Sequence, residues 1–341
     1  MSERLATIAV VPRERFSFTR EALERLYAVT APPFRLVYVD GGSPRHIREY
    51  LKTRAQKYGF DLVRTDHYLS PNEARNLAAR LVGTKYVVFI DNDVLVTPGW
   101  LDALVACAEE TGAWVVGPLY CIGPPELQTV HMAGGTCHVL EEAGRRRLMD
   151  RHRLVGKRWG DIRSSVTRES VELMEFHCML VRMEAFERVG PLDEALLSSH
   201  EHLDLCMTIR QAGGPIYLEP AAVVTWMAPP PLAWSDLPFF LRRWSELWNR
   251  ASLEYFDHKW ALNEDDRRVV QLEWLTDYRQ AALRLPVSTE RLRRLLGWRR
   301  GGWAGRRIVI PVEQALTGLL APWRRLPRPE PQAHRVPRGD L

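Results

Sequence analysis

Two carboxylates one residue apart, Asp91 and Asp93, close the most apolar run of the chain, Tyr-Val-Val-Phe-Ile at 86–90. A β-branched and aromatic run of this kind reads as a buried central strand. In open α/β sheets the ligand crevice lies at the carboxyl ends of the strands, so both side chains are expected to leave the sheet there and face one cation together. Carboxylate oxygens suit Mg2+ or Mn2+, with substrate phosphates completing the shell. An isolated Asp-x-Asp triplet is more often a turn or a helix cap, so its surroundings decide the reading.

Those surroundings carry further chemistry. Asp40-Gly41-Gly42-Ser43 ends another strand pattern, and glycines at such a place let a backbone approach a ligand closely. Glu73-Ala74-Arg75-Asn76 begins a helix just before the Asp91 strand, which brings a guanidinium near phosphates or a base. Downstream, Val189-Gly190-Pro191-Leu192-Asp193-Glu194 precedes Glu201-His202-Leu203-Asp204, with Arg210 and Gly213 behind. In a helix starting at 201, Asp204 shares the face of Glu201 while His202 points about 100° away. His131 and His177 read as satisfied, half-buried histidines.

The elements that must position these residues alternate. Strands are expected at 7–11, 34–40, 61–64, 86–90 and 113–117, with helices at 19–28, 47–58, 71–82, from a Thr97-Pro98 cap to about Gly112, and 201–212. Ser70-Pro71-Asn72-Glu73 is a capping box with proline at the first helical position. Short β-branched runs alternating with helical patterns predict an α/β sheet of βαβ units. Residues 120–175 read as loops and short strands over the site. After the proline run at 229–231, apolar residues at 237, 240, 241, 244, 247, 248, 251 and 255 have helical spacing. Trp244 and Trp248 lie on that stripe and are expected in the core rather than along an acceptor groove.

Taken in order, the motifs VDGGS (39–43), EARN (73–76), FIDND (89–93), VGPLDE (189–194) and EHLDLCMTIRQAG (201–213) resemble glycosyltransferase family 2, over about 10–225. The resemblance implies a GT-A type fold, a Rossmann-like nucleotide-diphospho-sugar transferase sheet with flanking helices, here with a helical C-terminal extension. It implies a nucleotide-diphospho-sugar donor, a divalent cation (Mn2+ or Mg2+), and inversion at the anomeric carbon. Carried onto this chain, Asp93 holds the metal, Asp91 the ribose or the metal's water shell, Asp40 and the adjoining Gly41 the nucleobase or ribose, and Arg75 the base or diphosphate. The family's general base maps to His202, whose ordinary pKa of about 6.5 suits neutral pH; Glu201 is the rival, with Asp204 beside it. Three departures stand out: Gly41 where many members carry a second aspartate, His202 where many carry aspartate, and Val224-Thr225-Trp226, with no histidine, where one often follows the last strand. They keep open a catalytically silent nucleotide-sugar-binding scaffold. A sugar-nucleotide pyrophosphorylase ranks lower, because Val11-Pro12-Arg13-Glu14-Arg15 contains none of the glycines its phosphate loop needs.

The chain of 341 residues, 46% hydrophobic, is long enough for a substantial core. The expected organisation is a catalytic domain over 1–228, with a donor half to about 118 and an acceptor half from 119, a helical extension over 229–285 and a basic Arg/Trp/Pro-rich, partly disordered tail over 286–341. From Arg284 onward thirteen arginines face four acids, a net of +9, so the rest carries 5 − 9 = −4. Such a tail suits a polyanionic surface; arginine and tryptophan together suit an anionic membrane interface, although a tail packed on the catalytic domain accounts for them equally. Nucleic acid is the weaker partner, for want of a stacking motif. The acceptor is then expected to be a glycan or a lipid-linked molecule. The five cysteines show no metal spacing and read as reduced thiols, and no run of about 18 apolar residues spans a membrane. These features predict a cytoplasmic protein, peripheral at the inner face of the membrane.

Overall fold

The strands in chain order are β1 (Ala6–Val11), β2 (Arg35–Gly41), β3 (Asp61–Thr65), β4 (Tyr86–Asp91), β5 (Val94–Val96), β6 (Val115–Ile122), β7 (Thr129–Met132), β8 (Gly135–Glu142), β9 (Arg145–His152), β10 (Glu169–Ser170), β11 (Cys178–Arg182) and β12 (Ile216–Trp226). The computed structural model describes residues 5–228, 232–263, 265–284 and 289–312. The proline run at 229–231 and the tail beyond 312 lie outside the described residues.

One sheet runs in the order β10-β12-β6-β11-β4-β1-β2-β3, with β5 on β12 and β7 on β6. Its centre is β4, parallel to β1 in the register Ala6↔Tyr86 to Val11↔Asp91 and antiparallel to β11. All six β4 residues are buried, because helices cover the sheet: Pro71–Ala79 packs on β1 and β2, and Trp100–Thr111 on β6 and β12. Burial on both faces is what a near-continuous apolar run signals in a parallel sheet. The register puts the ends of β1 and β4 side by side, so Pro12–Phe16 and Asp91–Asp93 leave the sheet together.

Two local expectations change. The helix after β5 begins at Trp100 with Gly99 at φ +78° as its cap; the Thr97 hydroxyl instead donates to the Val223 carbonyl at 2.9 Å, tying β5 to β12. The stripe beyond 235 forms two helices, Leu237–Arg243 and Glu246–Lys259, because Ser245 turns the chain and its Oγ accepts from Trp248 N at 3.2 Å. Trp244 and Trp248 are both buried. Phe239, Phe256 and Trp260 join the main core, while Phe240, Leu241 and Trp244 meet Leu275 and Ala282 of the helix Asp265–Ala282. The middle region contains a hairpin, β8–β9, closed by the two-residue loop Ala143-Gly144 with φ +49° and +75°, the backbone that matches strand twist.

Candidate active site

Asn92 sews the two strand ends together. Its Oδ1 accepts from Arg13 N at 3.1 Å and its Nδ2 donates to the Arg15 carbonyl at 2.8 Å. The loop after β1 is thereby laid against the two aspartates. Arg13 Nη1 is 3.4 Å from Asp91 Oδ2, Arg75 Nη2 is 3.5 Å from Asp91 Oδ1, and Arg15 Nε is 3.5 Å from Asp93 Oδ2. Arg13 also lies over the Trp226 ring, 4.8 Å from its centroid, and Arg75 over Phe176 at 3.8 Å. Glu14, between the two arginines, accepts from Trp244 Nε1 at 2.7 Å and from Tyr278 Oη at 2.8 Å. The helical extension thus closes directly over the strand ends.

The two aspartates are held in different states. Burial raises the Asp91 carboxyl, but the His177 contact, Arg13 and Arg75 outweigh it and the net shift is downward. For Asp93 burial dominates, partly offset by Arg15 and reinforced by Glu14 and Asp91, and its pKa is pushed up to about 7. Both Asp93 oxygens and Asp91 Oδ1 are buried without a hydrogen bond. Buried carboxylate oxygens without a hydrogen bond are costly, and oxygens of this kind suit a divalent cation such as Mg2+ or Mn2+.

A second group adjoins the first. His177 Nδ1 lies 3.1 Å from Asp91 Oδ2 and its Nε2 lies 3.5 Å from Glu175 Oε2. His177 is buried and stacked on Trp226, with ring centroids 4.2 Å apart; burial and then Arg13 lower its pKa to about 4. Around Glu175 stand His131 Nε2 at 2.8 Å, His152 Nε2 at 3.7 Å and His202 Nε2 at 3.9 Å.

The remaining residues singled out in the sequence are placed as follows. Glu201 is buried and receives Arg243 Nη2 at 3.0 Å. Asp204 accepts from Lys259 Nζ and Trp260 Nε1, each at 2.9 Å. Asp40 is buried, paired with Arg64 and accepting from Ser43 N at 2.9 Å. A Cβ on Gly41 would stand 3.3 Å from Leu69 and Pro12 side-chain atoms. Asn76 exchanges two hydrogen bonds with the Leu192 backbone, at 2.8 and 3.0 Å, so EARN and VGPLDE form one stitched unit. Arg75, Asp91 and Asp93 come together; the sequence reading missed Arg13, Glu14, Arg15, His152 and Glu175. For the first three the signal was present, a charged triplet immediately beyond a fully apolar strand.

A sheet of this order with helices on both faces is a fold of the GT-A type. The sequence model for Glycosyl transferase family 2 matches residues 7–190, more than half of the chain, and the chain belongs to that family. It is 25% identical over 216 residues to the uncharacterized protein y4gI of Sinorhizobium fredii, covering 61% of this chain and 23% of that one. It is 24% identical over 225 residues to the pre-mycofactocin glycosyltransferase of Mycobacterium tuberculosis, covering 65% of this chain and 43% of that one. The chain therefore spans less than half the length of these curated relatives. Among solved structures it is similar to GalNAc-T7, crystallised with UDP, GalNAc and Mn2+, at a TM-score of 0.50 and 15% identity over 84% of this chain and 59% of that one.

Proposed function

We propose that the chain is an inverting transferase that moves a sugar from a nucleotide-diphospho-sugar donor to a hydroxyl of a glycan or lipid-linked acceptor by metal-assisted single displacement. The observation that carries this reading is the set of orphaned oxygens on Asp91 and Asp93, buried at the strand ends. These two residues would hold Mn2+ or Mg2+, whose bound charge would offset the charge growing on the leaving diphosphate. Arg13, Arg15 and Arg75 present guanidiniums beside the same carboxylates, a donor geometry suited to phosphate oxygens. Asp40 and the Gly41 backbone are assigned to the ribose or base side, with the nucleotide left open by the carboxylate missing at 41. His202 is assigned to take the acceptor proton, an effect of roughly 10²–10⁴-fold in such reactions. Glu201 remains its rival, although Arg243 already claims one of its oxygens.

A second reading is a catalytically silent scaffold that binds nucleotide sugars. It is favoured by Arg13 and Arg15, which already offset the charges of the two aspartates. A panel of nucleotide sugars, tested for thermal stabilisation and hydrolysis with and without Mn2+, decides. Mn2+-dependent stabilisation and hydrolysis by one donor is expected. Stabilisation without hydrolysis or transfer would establish the scaffold, and no response to any donor would refute both readings.

Residues 289–312 expose Leu295, Leu296, Trp303, Ile308 and Val312 within an arginine-rich stretch, which supports contact with an anionic membrane surface, inner-face and peripheral. Among the described residues no helix is long and apolar enough to cross a membrane. Arg293 meets Glu273 and Asp277 at 3.9 and 3.2 Å, so part of this segment also packs on the preceding helix.

A further inference from the structure

Glu175 lies just ahead of β11, and its backbone is fixed before its side chain is considered. Tyr120 Oη lies 2.6 Å from the Glu175 carbonyl and 2.8 Å from the Cys178 carbonyl, between which its one proton is placed, and it accepts from Glu175 N at 3.2 Å. The side chain so fixed is 11% exposed. His131 comes from β7 and His152 from the end of β9. One nitrogen of each and one Glu175 oxygen all lie within 4.8 Å of one another.

His131 Nε2 and Glu175 Oε2 are buried and 2.8 Å apart, an ion pair when the imidazole is protonated. With neutral rings, the same convergence of two imidazole nitrogens on one carboxylate is a ligand set for a single ion. Adjacent ligands on a tetrahedral ion with bonds of roughly 2.0–2.1 Å are separated by about 3.4 Å. Glu175 Oε2 lies 2.8 Å from His131 Nε2 and Glu175 Oε1 lies 3.7 Å from His152 Nε2, one distance on either side of that value.

We propose that His131, His152 and Glu175 form a transition-metal site of the Zn2+ type, separate from the aspartate pair. Imidazole nitrogen selects borderline ions such as Zn2+, whereas the all-oxygen pair at Asp91 and Asp93 selects Mg2+ or Mn2+. Two histidines and one carboxylate leave a fourth position open, the arrangement of reactive rather than purely structural zinc sites. His177 connects the two sites, touching Asp91 with Nδ1 and facing Glu175 with Nε2. This site stands on its own residues and does not depend on the donor reading above.

The test uses the full chain, stripped with a chelator and titrated with Co2+ alone at neutral pH, then with Zn2+ as competitor. One equivalent of Co2+ is expected to give the visible d–d absorption of a four- or five-coordinate ion and to be displaced by Zn2+. His152→Ala, on a partly exposed hairpin, is expected to weaken binding at least about 10-fold, in the range found when supporting residues of metal sites are removed. Glu175→Gln should do the same, while Asp93→Asn should bind Co2+ as the parent does. Circular dichroism confirms that each variant is folded. Absence of the Co2+ bands, an unchanged titration in both His152→Ala and Glu175→Gln, or loss of the bands in Asp93→Asn would each overturn the proposal.

Discussion

Arg243→Leu is the sharpest test of how the Glu201 helix start is held. The Arg243 guanidinium and the Glu201 carboxylate are 2% and 6% exposed and 3.0 Å apart. Arg243 also donates to the carbonyl and hydroxyl of Ser198. Burial lowers its pKa to about 10, with Glu201 opposing the shift, so it remains cationic at neutral pH. Replacing it strips Glu201 of this counter-charge in a buried setting, which costs about 3–5 kcal/mol. The Ser198 carbonyl loses a donor at the same time, but the two losses share one group and do not add. Against a total stability of roughly 5–15 kcal/mol, this is a large fraction. At about 2–4 °C per kcal/mol for large domains, the melting temperature should fall by roughly 6–20 °C. The double variant Glu201→Gln/Arg243→Leu removes both charges and should regain about 1–3 kcal/mol relative to additivity. Urea unfolding of the four proteins reads the cycle. A single-variant cost below about 1 kcal/mol, or strict additivity, would refute the claim that the pair is a coupled, buried unit. The same cycle calibrates any turnover loss in Glu201→Gln, part of which would be lost folded protein.

Four further outcomes are expected. Asp93→Asn should abolish Mn2+-dependent transfer while leaving stability at pH 8 unchanged or higher, because it removes a charge that burial already disfavours; a variant with near-normal metal-dependent turnover would sink the donor assignment. His202→Ala should cost about 10²-fold or more in turnover with donor affinity little changed, as loss of a general base predicts, and equal turnover would move the base elsewhere. Burial raises the Asp193 carboxyl, but Lys259 and Tyr255 outweigh it and the folded-state pKa is lowered. Its stabilisation is therefore complete above the unfolded value of about 3.9 and is lost as pH falls through the folded value. Asp193→Asn should accordingly cost about 1.5–3 kcal/mol at pH 7 and progressively less below pH 4 in pH-resolved urea melts; a pH-independent cost would contradict this. Full-length protein should sediment with vesicles containing anionic lipid in low salt and a form ending near residue 288 should not; equal behaviour of the two would refute a membrane role for the tail.

The sheet was legible in the sequence because its central strands are buried on both faces, which forces uninterrupted apolar runs such as Tyr86–Ile90. The aspartate pair was legible for the same reason, as charges standing at the end of such a run. The EARN and VGPLDE motifs were legible as motifs but not as partners, since the Asn76–Leu192 bonds join residues 116 positions apart. Thr97 misled because the helix begins only at Trp100, behind Gly99, which leaves the Thr97 hydroxyl out of the capping position and donating to the Val223 carbonyl of a distant strand. The helix break at Ser245 hid within an unbroken apolar stripe. Glu175 and its histidines carry no spacing signal, because His131, His152, Glu175 and His202 come from four separate segments that only the tertiary fold assembles.

The hydrogen bonds that Trp244 and Tyr278 make to Glu14 cross 230 and 264 positions of sequence. On a translating ribosome, residues 6–226 can pair into the complete sheet while Glu14, whose charge acts on Asp93, still lacks its two donors. At roughly 5–20 residues per second, Tyr278 emerges several seconds after β12. The contacts that seat the helical extension over the strand ends are therefore among the last that the chain can make during its synthesis.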